Sequence, residues 1–266
     1  MDNHLDDLTL DLAAQRLRSL HVPGDPLVLV NAWDVASAGE VVAAGGSAIG
    51  TSSAAVSASL GEPDDNTMAL ALVFGAIERI ASAVPVPVTA DLEAGYDLGG
   101  CELVGALLAA GAVGCNLEDT DHRRPGELVD AEVMAARLSG ARAAARESGV
   151  DIVVNARIDA LVHLGGDRPA ALAEIVRRAR RYIEAGADCV FPLGLSDPAT
   201  AEQLVNELGV PVNVGLAPGV SVAQMAAAGA SRISVGPTFQ RRAMADLRQR
   251  ASELLASAGP SDGALG

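Results

Sequence analysis

Short apolar runs alternate with longer amphipathic runs along most of the chain, and one motif recurs where an amphipathic run passes into an apolar one. The motif begins with Ala-Gly and another small residue and continues into a short apolar run. Four copies occupy residues 44–49, 110–115, 185–190 and 228–233. The pattern predicts a helix that ends at a glycine in the left-handed conformation, then a tight loop, and then a buried strand.

Four further apolar runs of strand length lie between these copies. They occupy residues 26–31, 86–91, 150–157 and 210–214. Strands that alternate with helices indicate right-handed βαβ crossovers and a parallel sheet. Eight such units predict an α/β protein with a (β/α)₈ TIM barrel of eight parallel strands, and an open doubly wound sheet is the alternative.

The two ends of the chain differ from this repeating pattern. Residues 6–20 are predicted to form an extra N-terminal helix, and residues 239–256 the last helix. We therefore predict one barrel domain over residues 1–256. Residues 257–266 are small, polar and rich in Gly and Pro, which is typical of a flexible tail.

Composition narrows the possible functions. The chain has 266 residues, of which 50% are hydrophobic, and its formal charge is −15. Negative charge disfavours binding to nucleic acid or to an anionic membrane surface, so neither partner is expected. All 19 basic residues are Arg. Without a lysine amine, neither Schiff-base catalysis nor attachment of pyridoxal phosphate is available.

Cysteine usage and the first residues bear on the compartment. Cys101, Cys115 and Cys189 are widely spaced and form no CxxC pair, which is typical of a reducing environment. The acidic first residues lack the positive start and apolar run of a secretory signal. No apolar stretch approaches the roughly 20 residues of a membrane span. The sequence therefore predicts a cytoplasmic protein.

Acidic residues follow two neighbouring predicted strands. Asp91 and Glu93 are two positions apart, so both carboxylates would point to the same side of an extended segment. Glu118 ends the next strand, and active sites of barrels form at the carboxyl ends of strands. Three carboxylates without histidine favour Mg²⁺ or Mn²⁺ over zinc. The alternative is that these acids cap helices or face solvent.

Two other strand ends carry groups that suit an organic acid. Arg157 ends an otherwise apolar strand, where it can clamp a substrate carboxylate or form an internal salt bridge to Asp159 or Glu118. The segment 51–53, Thr-Ser-Ser, offers hydroxyls and main-chain N–H groups that can hold a carboxylate or phosphate.

Six motifs in order along the chain resemble the isocitrate lyase / phosphoenolpyruvate mutase superfamily, over about residues 25–248. They occupy residues 31–34, 59–64, 91–96, 116–119, 155–160 and 184–188. The resemblance implies a Mg²⁺-dependent barrel enzyme that acts on a small carboxylate. It also implies a homotetramer in which the last helix can be exchanged between subunits.

The resemblance implies a role for each matching residue. Asp91 takes the place of the family's Mg²⁺ ligand, and Glu93 and Glu118 take acidic places that hold the ion directly or through water. Asp64 matches the acid beside metal and substrate, and Arg157 the arginine that binds substrate carboxylate. The remaining substrate-binding positions are Thr51, Ser52, Ser53 and Asn213.

Departures from the family pattern bear on the reaction. The lyases carry a K-[KR]-C-G-H loop whose Cys is the acid/base, and residues 121–127 contain no Cys. The lyases also place a Glu after the sixth strand, where residues 191–194 contain no acid. The mutase gating loop is missing as well. His122 is a candidate acid/base, because an unperturbed His titrates near neutrality. The alternative is that His122 is a surface residue.

The shared site predicts a lyase that cleaves a C–C bond in a small 2-oxo or 2-hydroxy diacid, or decarboxylates it, through a metal-stabilised enolate. Two alternatives remain open. One is P–C bond chemistry of the phosphoenolpyruvate mutase or phosphonopyruvate hydrolase type. The other is a barrel that binds an oxoacid without catalysis.

Overall fold

A computed structural model describes residues 7–257, in which strands alternate with helices. The strands are β1 (Leu27–Leu29), β2 (Asn31–Ala32), β3 (Ile49–Thr51), β4 (Val88–Asp91), β5 (Gly114–Glu118), β6 (Val153–Ile158), β7 (Cys189–Pro192), β8 (Asn213–Val214) and β9 (Arg232–Ser234). The helices are α1 (Asp7–Ser19), α2 (Val35–Ala43), α3 (Ser53–Leu60), α4 (Leu70–Ala83), α5 (Gly100–Ala109), α6 (Ala131–Ser148), α7 (Ala160–His163), α8 (Arg168–Glu184), α9 (Pro198–Leu208), α10 (Val222–Ala227) and α11 (Thr238–Ser257).

The pairing of the strands confirms the predicted parallel barrel. The strands pair in the orders β1-β9-β8 and β2-β3-β4-β5-β6-β7, always in parallel within the described chain. Only Val30 separates β1 from β2, so the first strand joins β9 on one side and β3 on the other. A parallel bridge between Val190 and Val212 links β7 to the segment before β8. These pairings form a ring of eight strand positions.

The repeated Ala-Gly motif forms the predicted helix ends. Gly45, Gly111, Gly186 and Gly229 have φ values of +97°, +79°, +103° and +83°. Each follows the alanine that caps α2, α5, α8 or α10. Because a residue with a Cβ is strained at such φ values, glycine at these positions ends the helix and turns the chain into the next strand. This prediction is confirmed.

Helix α1 packs against the amino-terminal end of the barrel. Leu17 is fully buried, and a Cβ added to Gly114 at the start of β5 would lie 2.7 Å from Leu17 Cδ2. Glycine therefore makes room for this leucine. Arg18 donates to the carbonyls of Asp151 and Ile152, just before β6, at 2.8 and 3.0 Å. The open end of the barrel is consequently the carboxyl end.

Helix α11 makes little contact with the barrel. Gln240 is buried, whereas residues 241–257 are exposed. The flexible tail was predicted over residues 257–266, but Ser257 is the last residue of α11, and residues 258–266 lie outside the described residues. The predicted helix start at Asp6 also lies outside them, and the single-domain assignment of residues 1–256 stays a prediction. Within residues 7–257, none of the helices combines the length and apolar character needed to cross a membrane.

Candidate active site

Two adjoining cavities lie at the carboxyl ends of the strands. The larger, which we call the main cavity, has a volume of about 490 Å³. The smaller, the side cavity, has a volume of about 200 Å³. Both are lined by Ser53, Asp64 and Arg157. Three of the residues predicted for the site therefore stand at the junction of the two cavities.

Asp91, the last residue of β4, lines the main cavity. Its backbone N–H donates to Thr51 Oγ1 at 3.0 Å, while the N–H and hydroxyl of Ser53 donate to Asp91 Oδ2 at 3.3 and 3.1 Å. The second carboxylate oxygen, Oδ1, is buried and has no hydrogen-bond partner among residues 7–257. A buried carboxylate oxygen without a donor is unfavourable, and a cation beside it would compensate the charge.

The segment from Asp91 to Glu93 is not extended, as the sequence had predicted it to be. The strand ends at Asp91, and Glu93 has a left-handed φ of +48°. Its carboxylate instead accepts hydrogen bonds from the Tyr96 hydroxyl at 2.7 Å and from the Asn66 N–H. Burial raises the pKa of Glu93 to about 7. Asn66, Tyr96 and Asp97 are also left-handed, so strained backbone collects beside the site.

Arg157 forms the internal salt bridges and also reaches the cavities. Glu118 on β5 is the register partner of Arg157 on β6, and Arg157 Nη1 lies 2.5 Å from Glu118 Oε2. Nε and Nη2 donate to the two oxygens of Asp159, each at 2.8 Å. A guanidinium has five N–H groups, so these contacts leave two for a bound carboxylate. The two alternatives of the sequence analysis are thus compatible.

His122 reaches into the side cavity and contacts the same glutamate. Its Nε2 lies 2.6 Å from Glu118 Oε1, and its side chain is 18% exposed. The hydrogen bond with Glu118 raises the pKa of His122. Burial raises the pKa of Glu118, although the charge of Arg157 opposes that shift. The loop that lacks the lyase Cys therefore brings a histidine to the cavity wall.

The three carboxylates predicted to bind a metal do not surround one point. Asp91 lines the main cavity, whereas Glu93 and Glu118 line the side cavity. As the side chains are placed in the described chain, no three His, Cys, Asp or Glu groups are close enough to share an ion. Mg²⁺ commonly takes only one or two protein carboxylates and keeps several waters. Hard oxygen donors and the unpaired Asp91 Oδ1 fit such an ion.

The remaining predicted substrate-binding residues divide into two groups. Ser52 and Ser53 line the main cavity. Thr51 and Asn213 are buried and are not among the described residues of the cavity wall. Asn213 donates to the hydroxyl of Ser234 at 3.1 Å, and it is Ser234 that lines the cavity. A direct substrate contact for each of these four residues stays a prediction.

A buried guanidinium that was not predicted from the sequence lies below the main cavity. Arg232 on β9 is 1% exposed and donates to Asn116 Oδ1 at 3.1 Å and to Ser234 Oγ at 3.4 Å. Burial lowers the pKa of Arg232 to about 10. Asn116 and Ser234 both line the main cavity. The position of Asn116 at the site could have been predicted, because it lies two residues before Glu118 on the same face of β5. No feature of the sequence indicated that Arg232 lies beside the site.

A parallel barrel with acids and an arginine at the carboxyl ends of its strands has the architecture of a (β/α)₈-barrel enzyme. The model of the phosphoenolpyruvate phosphomutase family matches residues 17–255. The chain therefore belongs to this family, within the isocitrate lyase / phosphoenolpyruvate mutase superfamily, and the resemblance found in the sequence is confirmed. The superfamily is one of lyases and mutases.

Individual relatives agree with this assignment. An uncharacterised protein of Mycobacterium tuberculosis H37Rv is 34% identical over 82% of this chain and 80% of its own length. The 2-methylisocitrate lyase of Escherichia coli K12 is 31% identical over 73% of this chain and 70% of the lyase. The crystal structure of a candidate phosphonomutase from Burkholderia cenocepacia J2315 is 40% identical, with a TM-score of 0.86 over 90% of this chain and 99% of that one.

Proposed function

We propose that this protein is a Mg²⁺-dependent lyase that cleaves a C–C bond in a small 2-oxo or 2-hydroxy diacid, or decarboxylates it. The observation that carries the proposal is the pairing, in one cavity wall, of Arg157 with Asp91, whose Oδ1 lacks a partner in the described chain. The similarity to 2-methylisocitrate lyase supports C–C chemistry.

Each group has a defined task in this proposal. Asp91 would hold the ion, and Glu93 and Glu118 would contribute through its waters. Bound Mg²⁺ supplies Lewis-acid stabilisation of the negative charge that develops on the substrate. The two free N–H groups of Arg157 orient a substrate carboxylate, while Ser53 holds Asp91 in position.

Proton transfer falls to residues that line the side cavity. His122 lies in the side cavity beside Glu118, and Asp64 faces both cavities. His122 is the group we assign to protonate the carbon that leaves, because its loop occupies the place of the missing lyase Cys. The Glu118 carboxylate fixes the orientation of this imidazole.

A second candidate is P–C bond chemistry on a phosphonate such as phosphonopyruvate. The match to the phosphomutase family model and the 40% identity to a candidate phosphonomutase favour it. A phosphonate dianion needs strong cationic contacts, however. Among the described residues that line the main cavity, Arg157 is the one cationic side chain. We therefore rank this candidate below the lyase.

The test incubates the full chain with Mg²⁺ and a panel of 2-oxo and 2-hydroxy diacids, with products followed by proton NMR. Cleavage that chelation with EDTA abolishes and added Mg²⁺ restores is the expected result. A parallel phosphorus NMR assay with phosphonopyruvate tests the second candidate, and turnover there alone would replace our proposal. Thermal stabilisation by several acids with no product from any would indicate a binding protein instead.

We also propose a cytoplasmic homotetramer in which α11 is exchanged between subunits. Five large apolar side chains on α11 are between 43% and 73% exposed: Phe239, Met244, Leu247, Leu254 and Leu255. A helix with such a stripe gains its stability by packing, and a second copy of the chain offers the matching surface. Light scattering should give four chains per particle, and a monomer at micromolar concentration would contradict the assembly.

A further inference from the structure

Arg232 is the most deeply buried arginine of the described chain, and it differs from the other buried arginines in its partners. It is 1% exposed, against 7% for Arg142 and 5% for Arg178. Each of those two contacts two carboxylates. The acceptors of Arg232 in the described chain are neutral, namely Asn116 Oδ1 and Ser234 Oγ. A buried charge without an opposite charge beside it is strongly unfavourable.

The hydrogen bonds of Arg232 are also incomplete. Its Nη1 is buried and has no acceptor among residues 7–257. The charge of Asp91 acts on Arg232, but the two form no ion pair within the described chain, and the proposed function assigns that carboxylate to Mg²⁺. Buried polar groups are rarely left in this state. We therefore looked for an anion that would complete the surroundings of Arg232 when a ligand is bound.

Asn116 presents an unused donor at the main cavity. Its Oδ1 accepts a hydrogen bond from Asn155 Nδ2 at 2.9 Å as well as the one from Arg232. Because a guanidinium can only donate, Arg232 fixes which end of the Asn116 amide is the oxygen. The other end, Nδ2, makes no hydrogen bond within residues 7–257. Asn116 lines the main cavity, so this amide nitrogen is available to a ligand there.

Ser234 presents a second donor for the same reason. Its Oγ accepts from Asn213 Nδ2 at 3.1 Å and from Arg232 Nε at 3.4 Å. A hydroxyl group has two lone pairs and one hydrogen, so two accepted bonds leave the O–H free to donate. Ser234 also lines the main cavity. Arg232 thus lies behind two neutral side chains and orients both of them to donate toward the cavity.

We propose that Arg232 is a positioning residue for the second carboxylate of the substrate, on which it acts through Asn116 and Ser234. The inference rests on the diacid substrate of the proposed function, but not on the bond that is broken. Arg157 binds one carboxylate of the diacid. Asn116 Nδ2 and the Ser234 hydroxyl donate to the other carboxylate, whose negative charge compensates the buried guanidinium. Donors polarised by a cation behind them form stronger hydrogen bonds to an anion.

The first test measures how much the second carboxylate adds to binding. Malate and 2-hydroxybutyrate share a 2-hydroxy acid, but a methyl group in 2-hydroxybutyrate replaces the second carboxylate of malate. Calorimetry on the full chain with Mg²⁺ gives the affinity for each acid, as both enantiomers. We expect wild type to prefer malate by at least about 100-fold, and Arg232→Met to reduce this preference at least about 10-fold. No malate preference in wild type, or equal preferences in the two proteins, would overturn the inference.

Thermal stability separates this role from a structural one. In Arg232→Met, Asn155 and Asn213 still donate to the two acceptors that Arg232 used. We expect the melting temperature without metal or acid to equal or exceed that of wild type, because an uncompensated buried charge is removed. Arg142→Met is the matched control, which should melt about 6 °C lower and keep the wild-type preference for malate. A large fall in the melting temperature of Arg232→Met with an unchanged malate preference would make Arg232 a structural residue.

Two further variants divide the contribution of charge from that of the hydroxyl donor. Arg232→Lys keeps a positive charge without the planar fork, and we expect a malate preference between those of wild type and Arg232→Met. A loss as complete as in Arg232→Met would contradict the electrostatic role. Ser234→Ala removes the O–H donor and should weaken malate binding about 10-fold while 2-hydroxybutyrate binding stays the same. Equal weakening of both acids would contradict the contact with the second carboxylate.

Failure of this inference is separable from failure of the proposed function. A malate preference that depends on Arg232, without product from any acid, would support the positioning role and contradict the lyase. Turnover of a diacid, with an unchanged malate preference in Arg232→Met, would support the lyase and contradict the positioning role. Binding and turnover are therefore recorded on the same samples.

Discussion

Two arginine–carboxylate clusters stand at opposite ends of the barrel. At the amino end, Arg142 makes five hydrogen bonds. Nε and Nη2 both donate to the Gly186 carbonyl, and Nη1 donates to the Asp151 carboxylate and the Ile152 carbonyl. Nη2 also donates to the Asp188 carboxylate. All five of its N–H groups have acceptors. At the carboxyl end, the contacts of Arg157 with Glu118 and Asp159 use three of its five N–H groups. The first cluster is complete in itself, whereas the second can bind something more.

The carboxylates of the two clusters differ in the same way. Asp188 accepts from Arg18 at one oxygen and from Arg142 and the Val154 N–H at the other. Asp91 accepts from Ser53 at one oxygen only, and its second oxygen lacks a partner in the described structure. Charge alone does not distinguish the two ends. A count of satisfied donors and acceptors does, and it agrees with the rule that barrels use the carboxyl end for chemistry.

Asp91→Asn tests the incomplete cluster and should have the largest effect. We expect turnover to fall on the order of 10⁴-fold, because the direct metal ligand loses its charge. Calorimetry with Mg²⁺ measures the loss of metal affinity independently of any substrate. Thermal stability without metal should not fall, since the unpaired oxygen makes no hydrogen bond to lose. If this variant bound Mg²⁺ as tightly as wild type, Asp91 would not be the metal ligand.

Arg142→Met tests the complete cluster. We expect a loss of about 3 kcal/mol in the free energy of unfolding, because partly buried Asp188 and the Gly186 carbonyl lose their donors. Urea denaturation measures it, and activity per folded molecule should stay unchanged. Arg146→Met on the same helix is the matched control, because Arg146 is exposed, and should change stability by less than about 0.5 kcal/mol. Equal losses in the two variants would refute the contrast.

Arg157→Lys separates binding from structure at the carboxyl end. Lysine keeps the charge beside Glu118 and Asp159 but lacks the planar fork. We expect kcat/KM to fall about 100-fold while the free energy of unfolding changes by less than about 1 kcal/mol. Steady-state kinetics and urea denaturation provide the two readouts. A large loss of stability with unchanged kinetics would make Arg157 a structural residue like Arg142.

Glu93→Gln has an expected effect that depends on pH. Folding raises the pKa of Glu93 from 4.5 to about 7, so the folded state binds this proton more tightly than the unfolded state. The contribution of Glu93 to stability is complete below pH 4.5 and is lost as pH rises through 7. With EDTA present, the free energy of unfolding of the variant should rise by about 3 kcal/mol relative to wild type between these two pH values. A difference that does not change with pH would contradict the raised pKa.

The fold was predictable because its main signals are local. Each Ala-Gly motif sets a helix end through the φ value of one glycine, as at Gly45 and Gly186. Strand lengths were less predictable. The seventh strand was expected over residues 210–214, but β8 contains only Asn213 and Val214. Pro211 has no N–H, which limits the ladder that can form before Asn213.

The site was predictable only in part. The sequence placed Asp91, Glu118 and Arg157 at strand ends, and all three line the two cavities. It did not predict the conformation of Glu93, because a left-handed residue after the strand cannot be recognised from alternation of side chains. It missed Arg232, whose burial depends on the closure of the barrel around it.

The sequence by itself determined the order of strands and helices and the chemical groups at each strand end, because periodicity and glycine conformation are properties of neighbours along the chain. Only the tertiary structure decided which groups meet. The register of β5 and β6 sets Glu118 against Arg157, and the approach of β9 brings Arg232 beneath Asn116. Such contacts join residues far apart in the chain, so their distances depend on the packing of all eight strands together.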